Sequence, residues 1–274
     1  MLTAAEGNRK LKEMILEGRP FCAGKMGNSE HLALVNHLAG TAQWSRQVVY
    51  FITVSAGVFP GDMHTLGKFA DVYYQCLAHV DLAAKWLKMD GEILSYRNPA
   101  VQFTELRGLE PYYHETPWSQ ALAGKKVLVV SPFTDTIKEQ FAKRETIWLD
   151  KNVIPDFELE LAKAPLSNYL VASPYADWFK GLNDLKKKID GSDAQIVITG
   201  CGAWSLPLAA YAKDVGKQGI HLGGPTQILF GIKGGRWDKH DIIAGFYNEY
   251  WVRPSLEETP EQEKTKMVEN SCYW

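Results

Sequence analysis

Residues 195–237 read QIVITGCGAWSLPLAAYAKDVGKQGIHLGGPTQILFGIKGGRW, and this stretch decides the fold. Ile196-Val197-Ile198-Thr199 is a short apolar, β-branched run stopped by Gly200-Cys201-Gly202, the pattern of a buried parallel strand entering a tight turn. Ser205 suits a helix N-cap and Pro207 the first helical turn, where a missing N–H is harmless. Leu206, Leu208, Ala209, Tyr211, Ala212 and Val215 then form a helical stripe, with Gly216 placed to end it. Gly219-Ile220-His221-Leu222 reads as the next strand, closed by Gly223-Gly224. Strand, helix and strand at this spacing predict a βαβ unit with a right-handed crossover.

Working outward, ligands in open α/β sheets bind beyond the carboxyl ends of the strands, where turns expose backbone N–H groups. Gly200, Gly202, Gly223 and Gly224 let a phosphate approach the backbone there. The loop beyond adds Gln227, Lys233, Arg236 and Trp237, a set suited to a nucleotide diphosphate and a ring. The alternative is that the glycines only make turns and the two cations are solvated.

The rest of the chain extends this pattern. Residues 3–18 read as a helix with Leu11, Met14, Ile15 and Leu16 inward, and residues 20–23 as a short strand. The turn that follows carries Gly24, Lys25 and Gly27, and Asn28 or Ser29 caps a helix bearing Leu32, Leu34, Val35 and Leu38. Glu30 then falls in the first helical turn, where it either complements the helix dipole or faces a site and holds a divalent metal. A helix is expected from His64 to Lys88 and a strand over Gly91–Tyr96. In the irregular segment 97–118, Tyr112, Tyr113, His114 and Glu115 are candidates for an acceptor site. Val127–Val130 reads as a buried strand, with Thr134 or Asp135 capping the next helix. Residues 157–161 read as a strand and 175–189 as an amphipathic helix. Alternating strands and helices predict an α/β, Rossmann-like fold with a mainly parallel sheet and helices on both faces. The 274 residues are expected to form one domain, with a polar C-terminal extension, 238–274, packed back onto it near the site.

Composition limits the function classes. A net charge of −2 does not suggest a nucleic-acid surface, and no run nears the ~20 apolar residues of a membrane span. The amphipathic, charged N-terminus does not read as a signal peptide. Cys22, Cys76, Cys201 and Cys272 are widely spaced with no CxxC pair, which points to reduced thiols and a cytoplasmic location.

Two blocks carry a resemblance. PFCAGKMGNSE (residues 20–30) resembles the strand–turn–helix bearing the acidic DxE-type motif of GT-D-fold glycosyltransferases. KKVLVVSPFTDTIKEQF (125–141), with the stretch from Gly200 to Trp237, resembles the later part of proteins related to that group. The resemblance implies a Rossmann-like sheet, a nucleotide-sugar donor, a glycan or polysaccharide acceptor, and Mn²⁺ or Mg²⁺ held by the motif. Glu30 matches the motif's glutamate, while Asn28 replaces its aspartate and removes one anionic ligand.

The expected activity is therefore sugar transfer from a nucleotide-sugar donor. Lys233, Arg236 and the glycine amides are candidates for neutralising the leaving diphosphate, and Gly24, Lys25, Gly27, Asn28, Gln227 and Trp237 are further candidates for binding the donor. Glu30, His114, Glu115 and His221 are candidates for the base that takes the acceptor's proton. A non-catalytic nucleotide- or glycan-binding protein is one alternative. A Rossmann S-adenosylmethionine-dependent methyltransferase is another, although His221-Leu222-Gly223-Gly224 lacks the carboxylate such enzymes place after the second strand.

Overall fold

Val127–Val130 and Ile196–Ile198, apolar on both faces, are strands buried on both sides. The computed structural model of the chain describes residues 1–167 and 169–274. Its strands are β1 (Phe21–Gly24), β2 (Leu82–Ala84), β3 (Gln102–Thr104), β4 (Lys126–Ser131), β5 (Glu158–Lys163), β6 (Ile196–Thr199) and β7 (Gln218–His221). They form a single sheet in the order β3-β2-β1-β7-β6-β4-β5, parallel at every pairing. Register places Gln218 beside both Phe21 and Ile196, so β7 sits between the strands that begin the two halves of the site.

The helices are α1 (Ala4–Glu17), α2 (Asn28–Leu38), α3 (Arg46–Tyr50), α4 (Met63–Cys76), α5 (Asp90–Arg97), α6 (Thr134–Ala142), α7 (Arg144–Ile147), α8 (Trp178–Asp190), α9 (Ser205–Asp214), α10 (Pro225–Leu229) and α11 (Gln262–Met267). Side-chain alternation splits the core into two layers. Leu128, Val130 and Val197 face a cluster with Leu34, Phe69, Leu185 and Leu208 from α2, α4, α8 and α9. Val127, Val129, Ile196 and Ile198 face the opposite cluster with Leu11, Ile137 and Ile228 from α1, α6 and α10. The chain is thus α/β and Rossmann-like, with helices on both faces. No helix among the described residues is long and apolar enough to cross a membrane.

Several local expectations are corrected. The helix predicted over His64–Lys88 ends at Cys76, and Leu82–Ala84 is a strand. Leu-Ala-Ala has no β-branched residue to signal this; pairing with β1 and β3 imposes it. Gly91–Tyr96 is helical, within α5, its start fixed by Asp90, whose Oδ2 accepts the N–H groups of Trp86 and Leu87. Leu16 is 62% exposed, and Gly7 and Asn8 take the buried face of α1 alongside Leu11 and Ile15. Asn28 and Ser205 are the first residues of their helices rather than caps. Neither Thr134 nor Asp135 caps α6; the cap comes from Glu258, which accepts the Asp135 N–H at 2.7 Å and the Thr136 N–H at 3.2 Å.

Residues 238–274 cross back over the carboxyl edge of the sheet. Gln140 donates to the Tyr250 carbonyl at 3.0 Å and Gln227 to the Tyr273 carbonyl at 2.9 Å. Gly235 N–H donates to the Trp274 carbonyl at 3.0 Å.

Candidate functional site

Strand order reverses direction between β1 and β7: the chain steps outward from β1 to β2 and β3, and later returns through β6 and β7 to the other side of β1. Such a switch point opens a crevice at the carboxyl edge. A cavity of about 640 Å³ lies there. The turn after β1 supplies Lys25, Gly27, Asn28, Ser29 and Glu30, and the turn after β6 supplies Gly200, Cys201 and Gly202. From the end of β7 and the segment after it come His221, Gly223, Gly224, Thr226 and Gln227. Three further walls come from segments far away in sequence. Phe51, Val54 and Ser55 lie in a π-helical turn after α3, a geometry often found at functional sites. Trp86 comes from the loop after β2, and Arg236, Glu269, Tyr273 and Trp274 from the C-terminal region.

Glu30 is buried with no cation within ion-pair distance among the described residues. Its burial pushes the carboxyl up to about 6, and the charge of Glu269 adds to this while Lys25 opposes it. Burial also lowers the Lys25 amine; Glu110 pulls the other way, and Arg236 adds to the lowering. The Lys25 Nζ stands 5.6 Å from the centre of the Trp86 ring, which the indole N–H holds in place by donating to the Met26 carbonyl at 2.9 Å. His221, buried and close to Lys25, is held down at about 3, so its ring is neutral at physiological pH and a weak base.

The cavity therefore brings together Lys25, Gly27, Asn28, Glu30, Gly200, Gly202, His221, Gly223, Gly224, Gln227 and Arg236 of the residues expected from the sequence. Gly24, the last residue of β1, lies just beneath it: a Cβ there would meet the His221 Cβ at 2.8 Å.

The remaining candidates sit elsewhere. His114 is half-buried and donates to the Arg107 carbonyl at 2.8 Å, and Glu115 is exposed; neither lines the cavity. Their loop is tied to α1 instead, through Asn8, which donates to the Thr116 carbonyl and accepts the Trp118 N–H. Tyr112 stacks on Trp148 at 5.6 Å in the core, and Tyr113 lies under Arg107. Lys233 lies over the Tyr247 ring at 5.2 Å, outside the cavity. Trp237 is 5% exposed and packs against Gly224 and Gly234, so it supports the wall rather than offering a face to a ligand.

Sequence reasoning missed Trp86, the π-helical turn, Glu269 and Tyr273. The first was hidden by reading residues 64–88 as one helix. The others come from segments with no motif, brought to the site only by tertiary folding.

As a metal centre the donor set is incomplete. Glu30 offers one carboxylate and Asn28 one amide, the second carboxylate of the cavity, Glu269, is paired with Arg236, and among the described residues no group of three or more His, Cys, Asp or Glu side chains gathers. Mn²⁺ and Mg²⁺ prefer several oxygen ligands, and here two cationic side chains share the cavity. These residues alone do not fit a divalent cation.

No protein-family model matches the chain, and no curated protein or solved structure matches it either.

Proposed function

We propose that the protein is a nucleotide-sugar-dependent glycosyltransferase acting on a glycan acceptor, with the donor in the carboxyl-edge cavity. The observation that carries this reading is the pair of cations, Lys25 and Arg236, which reach one cavity from segments far apart in the chain, the charge of Arg236 adding to the lowering of the Lys25 amine there. An anion with two phosphate groups satisfies both, and the amides of Gly202 and Gly224 offer further donors, while the Gly223 N–H is given to the Thr199 carbonyl at 3.1 Å. The aliphatic and aromatic wall of Phe51, Val54, Leu170 and Trp274 suits a base or sugar ring.

In the transfer, the bond between the sugar's anomeric carbon and the diphosphate oxygen breaks and a bond to the acceptor hydroxyl oxygen forms. The nucleoside diphosphate leaves with the electron pair, its charge met by Lys25 and Arg236. Glu30 accepts the acceptor's proton: it lines the cavity, is buried and has no cation within ion-pair distance among the described residues. His221 is too weakly basic for that role.

Thermal unfolding against UDP-, GDP-, dTDP- and CMP-sugars, with and without Mn²⁺, tests the reading. A ligand at ~100 times its dissociation constant adds about 2.7 kcal/mol. The expected result is a shift with one nucleotide class that persists without Mn²⁺ and weakens in Arg236→Ala. No shift with any donor, but one with S-adenosylmethionine, would transfer the site to the methyltransferase class. A shift without turnover would leave a binding protein.

A further inference from the structure

Arg236 and Glu269 both line the cavity, and they are paired with each other. The guanidinium lies 5.3 Å from the centre of the Tyr273 ring and 5.8 Å from that of Trp237. Arg236 N–H donates to the Cys272 carbonyl at 3.1 Å, and Gly235 N–H to that of Trp274 at 3.0 Å, so the segment holding the carboxylate is strapped to the loop holding the guanidinium. Glu269, Asn270 and Ser271 have φ of 46°, 55° and 62°, three successive non-glycine residues in the left-handed region. Few non-glycine residues adopt it, and such strain persists where the surrounding structure or a function requires it.

The planar fork of an arginine matches phosphate as well as carboxylate. Here a carboxylate of the chain itself already accepts from one nitrogen of the guanidinium, and the pair is part-exposed, 39% for Arg236 and 49% for Glu269, so its hold is weak. It also places a second negative charge in the cavity besides Glu30. We propose that Glu269 is a resident occupant of the anion site at Arg236, displaced when a diphosphate enters the cavity, and that it makes the site selective for diphosphates over weaker anions. A single phosphate must compete with Glu269 for one cation, whereas a diphosphate reaches Lys25 as well. This inference rests on reading the cavity as a diphosphate site.

The test is calorimetric titration of inorganic pyrophosphate, UDP and orthophosphate into the wild type, Glu269→Gln, Glu269→Ala and the double variant Arg236→Gln/Glu269→Gln. Glu269→Ala is included because a glutamine can still accept from Arg236. Removing Glu269 is expected to tighten pyrophosphate and UDP binding about tenfold, equivalent to about 1.4 kcal/mol. It should also make orthophosphate binding measurable, and the double variant should lose both gains. If the wild type binds pyrophosphate or UDP and both Glu269 variants bind equally or more weakly, the occupant role is wrong while the diphosphate site stands. If neither anion binds any of the four proteins, both fail together.

Discussion

A Cβ placed on Gly27 would stand 2.0 Å from Oε2 of Glu30, three residues further on. The carboxylate therefore folds back over the turn after β1, into space that only glycine leaves open. Gly27 itself has φ −72° and ψ 150°, ordinary for any residue, so the requirement is contact and not backbone conformation. Gly27→Ala is expected to keep the fold and push the carboxylate out of position. Donor turnover should fall about 10²-fold with the melting temperature nearly unchanged, because small misplacements of a reacting group are costly. Kinetics and circular dichroism on the one variant separate these effects; an unchanged rate would remove Glu30 from the chemistry.

Gly219 presents the opposite case. A Cβ there would meet the carbonyl oxygen of Ala209 at 1.9 Å, backbone against backbone between β7 and α9. Nothing can swing aside, so the helix must shift. Gly219→Ala should destabilise the protein by about 3 kcal/mol or more, read from the urea midpoint at constant m-value. A loss below 1 kcal/mol would show that α9 is not seated so closely on β7.

The two titrating groups at the site oppose each other. Glu30 is raised from 4.5 to about 6, so the folded state binds its proton more tightly than the unfolded state does. Its contribution is favourable below the unfolded value and is lost as pH rises through about 6, a loss of about 2 kcal/mol. His221 is lowered from 6.5 to about 3, so its contribution is present above pH 6.5 and is lost as pH falls toward 3. Glu30→Gln should therefore be more stable than wild type at pH 7.5 by about 1–2 kcal/mol, with the advantage gone by pH 4. Urea unfolding at the two pH values checks this, and a less stable variant at pH 7.5 would mean an unseen partner holds the carboxylate.

Glu258 ties the C-terminal region to the body of the fold by capping α6 with a buried carboxylate. Glu258→Ala leaves the Asp135 and Thr136 N–H groups without that acceptor at a helix N-terminus. The expected loss is about 2–4 kcal/mol in urea unfolding. A change under 0.5 kcal/mol would mean water replaces the cap.

How far the sequence revealed this depends on how local each signal is. β4, β6 and β7 and the helix between the last two were legible because Val127–Val130, Ile196–Thr199 and Leu206–Ala212 carry their own periodicity and turn residues. β2 was not, since Leu82-Ala83-Ala84 takes its conformation from its neighbours β1 and β3. Lys25 and Glu30 could be found because they follow a strand–glycine junction. Trp86 and Glu269 could not, because their places at the cavity depend on a misread strand and on a left-handed turn of non-glycine residues. His114 and Glu115 looked like site residues for their chemistry alone, and nothing in their spacing reveals that Asn8 holds their loop to α1.

The most direct test of the transferase reading is release of nucleoside diphosphate from the donor that stabilises the protein, measured for wild type and Glu30→Gln, with donor affinity determined alongside. The account predicts release by the wild type with kcat/KM falling below about pH 6, and a rate at least 10²-fold lower in the variant at unchanged donor affinity. No release from a tightly bound donor, or equal rates in the two proteins, would contradict it.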